Sequence, residues 1–196
     1  MIIAVHNTKG GVGSTTLAAH LCALLAEGDE SVNGMSVDSN RELHRWLEPL
    51  GIPCLDPDVD LSRRRGDHLV LDVQSICRPP LAPDVWVIPI ANRLATDHAQ
   101  ALADTLRGAV LWLPTMGEMV IRAAVPAHAS DAIDIAPSVP FSRAITQACA
   151  TRTIAWLHPE LADTRGVHQL RHALTSVLEL SERAIGGGDT ADSIAV

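Results

Sequence analysis

Short apolar runs alternate with stretches of helical periodicity along this 196-residue chain. The first run, "IIAVH" at 2–6, is apolar at nearly every position, as in a strand buried on both faces. A glycine-rich turn follows it. Then "TTLAAHLCALLAE" places Leu17, Leu21, Leu24 and Leu25 on one helical face, with Gly28 as a stop signal. Further strands are predicted at roughly 32–38, at 68–73 ("HLVLDV"), 85–90 ("VWVIPI") and 109–114 ("AVLWLP"), and near 132–136. The segment "TDHAQALADTLRG" (96–108) predicts a helix with Thr96 as its N-cap. A late helix over 163–185 carries Val167, Leu170, Leu174, Val177 and Leu178 at three- and four-residue spacing. The closing "GGGDTADSIAV" reads as a polar, flexible tail over 186–196.

This alternation predicts an α/β fold: a mostly parallel sheet with helices on both faces, in three layers, forming one domain over 1–185. Ligands of such sheets bind at the carboxyl ends of the strands. The glycine turn follows the first strand, Asp38 ends the second and Asp72 nearly ends the third. All three are therefore expected on one edge of the sheet.

Composition narrows the picture. Hydrophobic residues make up 47%, enough for a core, which with four Trp, one Phe and no Tyr must be built from Ala, Val, Leu and Ile. Trp46, Trp86, Trp112 and Trp156 are expected to pack within it. A net charge of −8 argues against DNA binding by the whole surface and leaves room for a local basic patch. No apolar segment reaches the roughly 20 residues that span a bilayer. No basic region precedes the first apolar residues, so no signal peptide is predicted. Cys22, Cys54, Cys77 and Cys149 form no CxxC pair, which suits reduced thiols in a cytoplasmic protein. The nine histidines show no HExxH spacing and are expected as surface or core residues. Fourteen of the fifteen basic residues are Arg; the single lysine is Lys9, inside the glycine turn. A lysine kept there suits a site needing a compact ammonium, where a planar guanidinium would not fit.

That turn, "NTKGGVGSTT" (7–16), carries the candidate chemistry. A phosphate-binding loop points successive backbone N–H groups into a concavity at a helix N-terminus, and glycines permit the backbone angles. Against the pattern GxxxxGK[ST], Gly13 holds the last glycine position and Thr15 the Mg²⁺ position. Thr8 replaces the first glycine and Ser14 the lysine. The strand before, the helix after and the two strand-end aspartates support a phosphate site despite the mismatch. The plainer alternatives are a strand–helix turn without a ligand, and Asp38 and Asp72 as helix caps or solvated strand ends.

The stretch "KGGVGSTT" resembles the deviant Walker motif KGGxGK[ST]T of the ParA/MinD family of P-loop ATPases. Asp38, in "SVDSN", is similar to the first Asp of that family's DxD segment, and Asp72, in "LVLDVQS", to its Walker B aspartate. "DVWVIPI" resembles the strand after switch II. "IAPSVPFSRAITQACATRTI" resembles the late segment where an Arg-led helix follows a strand, with Arg143 at the Arg position. A loop so near Met1 is similar to the small plasmid-partition ATPases. The resemblance implies a P-loop NTPase-like fold binding ATP or ADP with Mg²⁺, and an ATP-dependent sandwich homodimer in which Lys9 reaches the partner's phosphates. It implies phosphate contacts from Lys9, Gly10, Gly11, Val12, Gly13, Ser14, Thr15 and Thr16, and a metal held by Thr15, Asp38 and Asp72. It also implies a ParB-like adaptor and nonspecific DNA contacts through Arg143, Arg152, Arg165 and Arg171, in a bacterial cytoplasmic, nucleoid-associated protein.

Two departures bear on turnover. Ser14 removes the charge that neutralises the β- and γ-phosphates, and charge-assisted bonds are roughly twice as strong as neutral ones. Asn40 stands where the family's hydrolysis-promoting aspartate would sit, and an amide does not polarise water as a carboxylate does. Both changes weaken hydrolysis more than binding, unless Lys9 takes over in cis or across a dimer. The TadZ/CpaE and BcsQ-like branches resemble this chain in replacing the second lysine by a small residue. The alternative function is therefore a non-hydrolysing scaffold or localisation factor for a secretion, pilus or conjugation machine. Arg63-Arg64-Arg65 reads as a solvated loop or a partner patch. The last helix lacks the Lys/Arg-rich face of a membrane-targeting helix, so no membrane insertion is predicted.

Overall fold

A computed structural model describes residues 1–7, 11, 13–28, 30–37, 41–59, 67–74, 79–91, 93–115 and 133–186. Its core is a seven-stranded sheet: β1 (Ile2–Asn7), β2 (Val32–Ser36), β3 (Cys54–Leu55), β4 (His68–Gln74), β5 (Val85–Ile90), β6 (Ala109–Pro114) and β7 (Ile133–Ile135). The spatial order is β3-β2-β4-β1-β5-β6-β7, and every pairing is parallel. The helices are α1 (Ser14–Glu27), α2 (Glu42–Leu47), α3 (Arg93–Ala103), α4 (Arg143–Thr151) and α5 (Arg165–Gly186). Single 3₁₀ turns lie at Glu48–Leu50 and Ala155–Leu157. All six predicted strands are present. The two-residue edge strand β3 and the short helix α2 were not anticipated, since neither is long enough to show a period.

Alternate residues of each strand face opposite layers, as the pleat requires. Ile3, Val5, Val70, Val85, Val87, Leu111 and Leu113 pack against α1, α2, α4 and α5. Ala4, Leu69, Leu71, Val73, Trp86, Ile88 and Trp112 pack on the other face, where α3 contributes Ala99. Buried on both sides, the strands carry the continuous apolar runs seen in the sequence. All four tryptophans are buried.

Two expectations about helices change. The sequence predicts an amphipathic α1 with its leucines on one face. Instead Ala18, Ala19, His20, Cys22 and Ala23 are buried along with Leu17, Leu21 and Leu25. The helix touches the sheet and also α2 and α5, so small residues are needed almost all round. α3 starts at Arg93 and ends at Ala103, so Thr96 is a buried interior residue and no N-cap; 104–108 form the turn into β6.

The topology fixes where a ligand can bind. From β1 the chain runs outward to β2 and β3, returns to β4, then crosses β1 to reach β5. β1 thus lies between two halves wound in opposite directions, and the crevice of such a sheet opens at the carboxyl ends beside that switch. The glycine turn leaves β1 at that point.

Candidate functional site

At the described positions the turn has the geometry its glycines predict. Gly11 has φ +78° and Gly13 φ +90°, the left-handed region that side chains rarely adopt. An added Cβ would meet nothing within 4 Å at either position, so the glycines are required by backbone angle and not by crowding. Gly13 is the N-cap of α1, and its carbonyl accepts the Leu17 N–H at 2.9 Å. Among the described residues no side chain caps α1, and its first turn carries no acidic residue. The first N–H groups of a helix lack intrahelical partners, and such an end favours an anion. Ser14, Thr15 and Thr16 form that first turn.

Thr15 meets Asp72 across the sheet edge. The Thr15 hydroxyl donates to Asp72 Oδ2 at 2.7 Å. Asp72 is fully buried on β4, opposite Val5 of β1 and Ser36 of β2, and its carbonyl accepts the Val37 N–H at 3.0 Å. Gln74 lies two residues on, hence on the same face of the strand. Its Nε2 donates to Thr15 Oγ1 at 3.0 Å and lies 3.5 Å from Asp72 Oδ2. A hydroxyl and a carboxylate side by side at a phosphate loop fit Mg²⁺, which takes few protein oxygens and keeps several waters. Among the described residues no three His, Cys, Asp or Glu side chains converge, and Thr15 and Asp72 are the ones that could hold such an ion. Lys9, Gly10, Val12, Asp38 and Asn40 lie outside the described residues, as does Arg63-Arg64-Arg65.

Behind the turn lies a network the sequence reading missed. His20 is fully buried in α1; its Nδ1 donates to the Thr16 carbonyl at 2.7 Å, and its Nε2 accepts the Ala155 N–H at 3.0 Å. It stands edge-on between Trp46 and Trp156, with ring centroids 5.6 Å and 5.1 Å away. Burial pushes its pKa down to about 4, so the ring is neutral at pH 7. The Thr16 hydroxyl lies 3.4 Å from Cys149 Sγ of α4. The signal was a lone polar residue inside the apolar run "AAHLCALL". His6 is buried too: its Nδ1 lies 2.8 Å from the Val73 carbonyl, and burial lowers its pKa. Cys22, Cys54 and Cys149 are free thiols, and burial raises the Cys54 thiol to about 11.

Arg143 begins α4 as predicted, and Arg143, Arg152, Arg165 and Arg171 are all exposed. Arg152 and Arg171 are engaged within the chain. Arg152 Nε contacts Glu42 Oε1 at 2.5 Å and thereby lowers the Glu42 pKa. Arg171 contacts Glu27 Oε2 at 2.7 Å and lies over the Trp156 ring. One cavity borders the turn and a second lies at the edge of the sheet. An apolar pocket of about 100 Å³ includes Gly13, Thr16, Thr115, Val139, Phe141 and Ile145 in its lining. An open cleft of about 810 Å³ lies along Ser36, Arg41, His44, Cys54 and Asp56 at the β2–β3 edge.

Sheet order, strand–turn–helix geometry and the Thr15–Asp72 pair define a P-loop NTPase-like α/β protein. The family profile of the CobQ/CobB/MinD/ParA nucleotide-binding domain (CbiA) matches residues 3–131, and the chain belongs to that family. A "Putative replication protein A" of Rhizobium rhizogenes is 25% identical over 187 residues, covering 93% of this chain and 46% of that protein. The chain thus spans about half the length of that curated relative. Among solved structures, the MinD cell division protein of Aquifex aeolicus superimposes with a TM-score of 0.65 at 16% identity, over 91% of this chain and 97% of that one. A putative plasmid partition protein of Borrelia burgdorferi B31, bound to AMPPNP, gives a TM-score of 0.63 at 12% identity, over 91% and 98%. Among the described residues no helix is long and apolar enough to cross a membrane.

Proposed function

We propose that this chain is a ParA-like ATP-binding protein of plasmid or chromosome partition. The observation that carries the reading is the Thr15 hydroxyl held on buried Asp72 at the mouth of a positive-φ glycine turn. ATP or ADP lies with its phosphates over residues 9–16, and Mg²⁺ is held by Thr15 with Asp38 and Asp72. The apolar pocket beside Gly13 and Thr16 takes the base, with Phe141, 73% exposed, at its rim. Bound nucleotide closes a sandwich homodimer through Lys9, and the dimer engages nonspecific DNA and a ParB-like adaptor in the bacterial cytoplasm. Arg143 and Arg165 are the better-placed DNA contacts, since Arg152 and Arg171 already meet carboxylates. The borrelial partition protein and the rhizobial replication protein support this reading.

A second reading is favoured by Ser14, which opens α1 with a neutral hydroxyl where the motif has lysine. It makes the chain a nucleotide-dependent scaffold with little turnover. Calorimetric binding of ATP and ADP with Mg²⁺, on wild type and Lys9→Ala, with phosphate release followed alongside, tests both. Nucleotide binding that Lys9→Ala weakens supports the first assignment; binding without phosphate release selects the scaffold. A Lys9→Ala protein that binds and dimerises like wild type contradicts the role given to Lys9. A DNA shift that needs ATP and weakens with salt separates partition from scaffolding.

A further inference from the structure

The corner where Thr15 meets Asp72 is shared with a third side chain. A threonine hydroxyl has one proton and two lone pairs. Here the proton goes to Asp72 Oδ2, and one lone pair accepts an N–H of Gln74. The same amide nitrogen lies 3.5 Å from Asp72 Oδ2. It therefore addresses both oxygens that a divalent cation would use. Thr15 and Asp72 would hold Mg²⁺ through these oxygens, directly or through water. An amide 3.0 Å from the Thr15 oxygen already takes one of its two lone pairs.

We propose that Gln74 is an internal competitor for the cation: its amide fills the metal corner until Mg²⁺ displaces it, raising the Mg²⁺ concentration the site requires. The proposal rests on the nucleotide-binding reading above. Gln74 is half-buried at the last position of β4, so its side chain has a short reach to the corner and is partly open to solvent. The Thr15–Asp72 hydrogen bond uses no atom of the amide. Removing Gln74 therefore opens the corner without dismantling it.

The test is a Mg²⁺ titration of nucleotide-linked thermal stabilisation on wild type, Gln74→Met and Gln74→Ala. Methionine keeps the volume without a donor, and alanine serves if the thioether packs badly. The half-saturating Mg²⁺ concentration is expected to fall by about three- to tenfold in both variants, the factor that one neutral hydrogen bond carries. Nucleotide affinity in excess EDTA is expected to stay at the wild-type value, which a general disturbance of the site would not leave unchanged. An unaltered Mg²⁺ dependence overturns the competitor role while leaving the nucleotide reading standing. If neither ATP nor ADP binds any of the three proteins, with or without Mg²⁺, the reading beneath fails and the proposal with it.

Discussion

The two walls of the glycine turn are built differently. On the side buried beneath α1, His20, Trp46, Trp156 and Ala155 are all buried, and His20 uses both ring nitrogens in hydrogen bonds. On the β2–β3 side, the Arg41–Asp56 ion pair stands at 2.8 Å with both side chains more than half exposed, at the edge of an open cleft. A hydrogen bond removed from water leaves a costly orphan when broken, whereas an exposed ion pair is replaced by hydration. One wall is thus a fixed floor for the loop, and the other can change shape at little cost. A phosphate site with one fixed wall and one open wall can bind on the first and respond on the second.

The largest break in that contrast comes from His20. Replacement by Ala removes two hydrogen bonds, orphans the Ala155 N–H and leaves a hole between two tryptophans. We expect a loss of about 3–4 kcal/mol in urea unfolding. The same residue sets an acid limit. Its folded pKa of about 4 lies below the unfolded value near 6.5, so the unfolded chain takes up the proton first. Stability is full above pH 6.5 and declines as pH falls toward 4, by up to about 3 kcal/mol from this group. His20→Gln should flatten that part of the profile; a wild-type profile level from pH 6.5 to 4 would remove His20 from the account.

Gly13→Ala probes the loop itself. At φ +90° an L side chain costs about 1–2 kcal/mol, and no neighbour lies near enough to add a clash. The melting temperature should drop by about 2–4 °C for each kcal/mol in a chain of this length. A loss well beyond that range would mean that crowding, and not backbone angle, fixes the glycine. This position was legible in the sequence because glycines between a strand and a helix have few other uses. Asp72 was legible at the end of an apolar run, and so was the parallel sheet. His20 and Gln74 were harder to see. The first looked like one of nine histidines, and the second showed only as a polar residue two places after Asp72. Their roles depend on Ala155 and Thr15, which are distant in sequence and adjacent only through the fold. The short α2 and β3 escaped because tertiary contacts hold them, with no period of their own to read.

The smallest effect belongs to the open wall. Arg41 is the N-cap of α2 at φ +50°, a conformation an arginine holds at a cost of about 1 kcal/mol. Its ion pair with Asp56 returns about 0.2–1 kcal/mol at most, because both partners face water. Arg41→Gly relieves the first and forfeits the second. The added chain entropy of glycine in the unfolded state takes back a further part of the gain. The net change should lie within about 0.5 kcal/mol of wild type, read from urea midpoints at low and high salt. Salt screens the pair and leaves the backbone term untouched, so the variant should gain slightly on wild type as ionic strength rises. A loss above about 2 kcal/mol would show that this wall is as fixed as the other, and the contrast between them would fall.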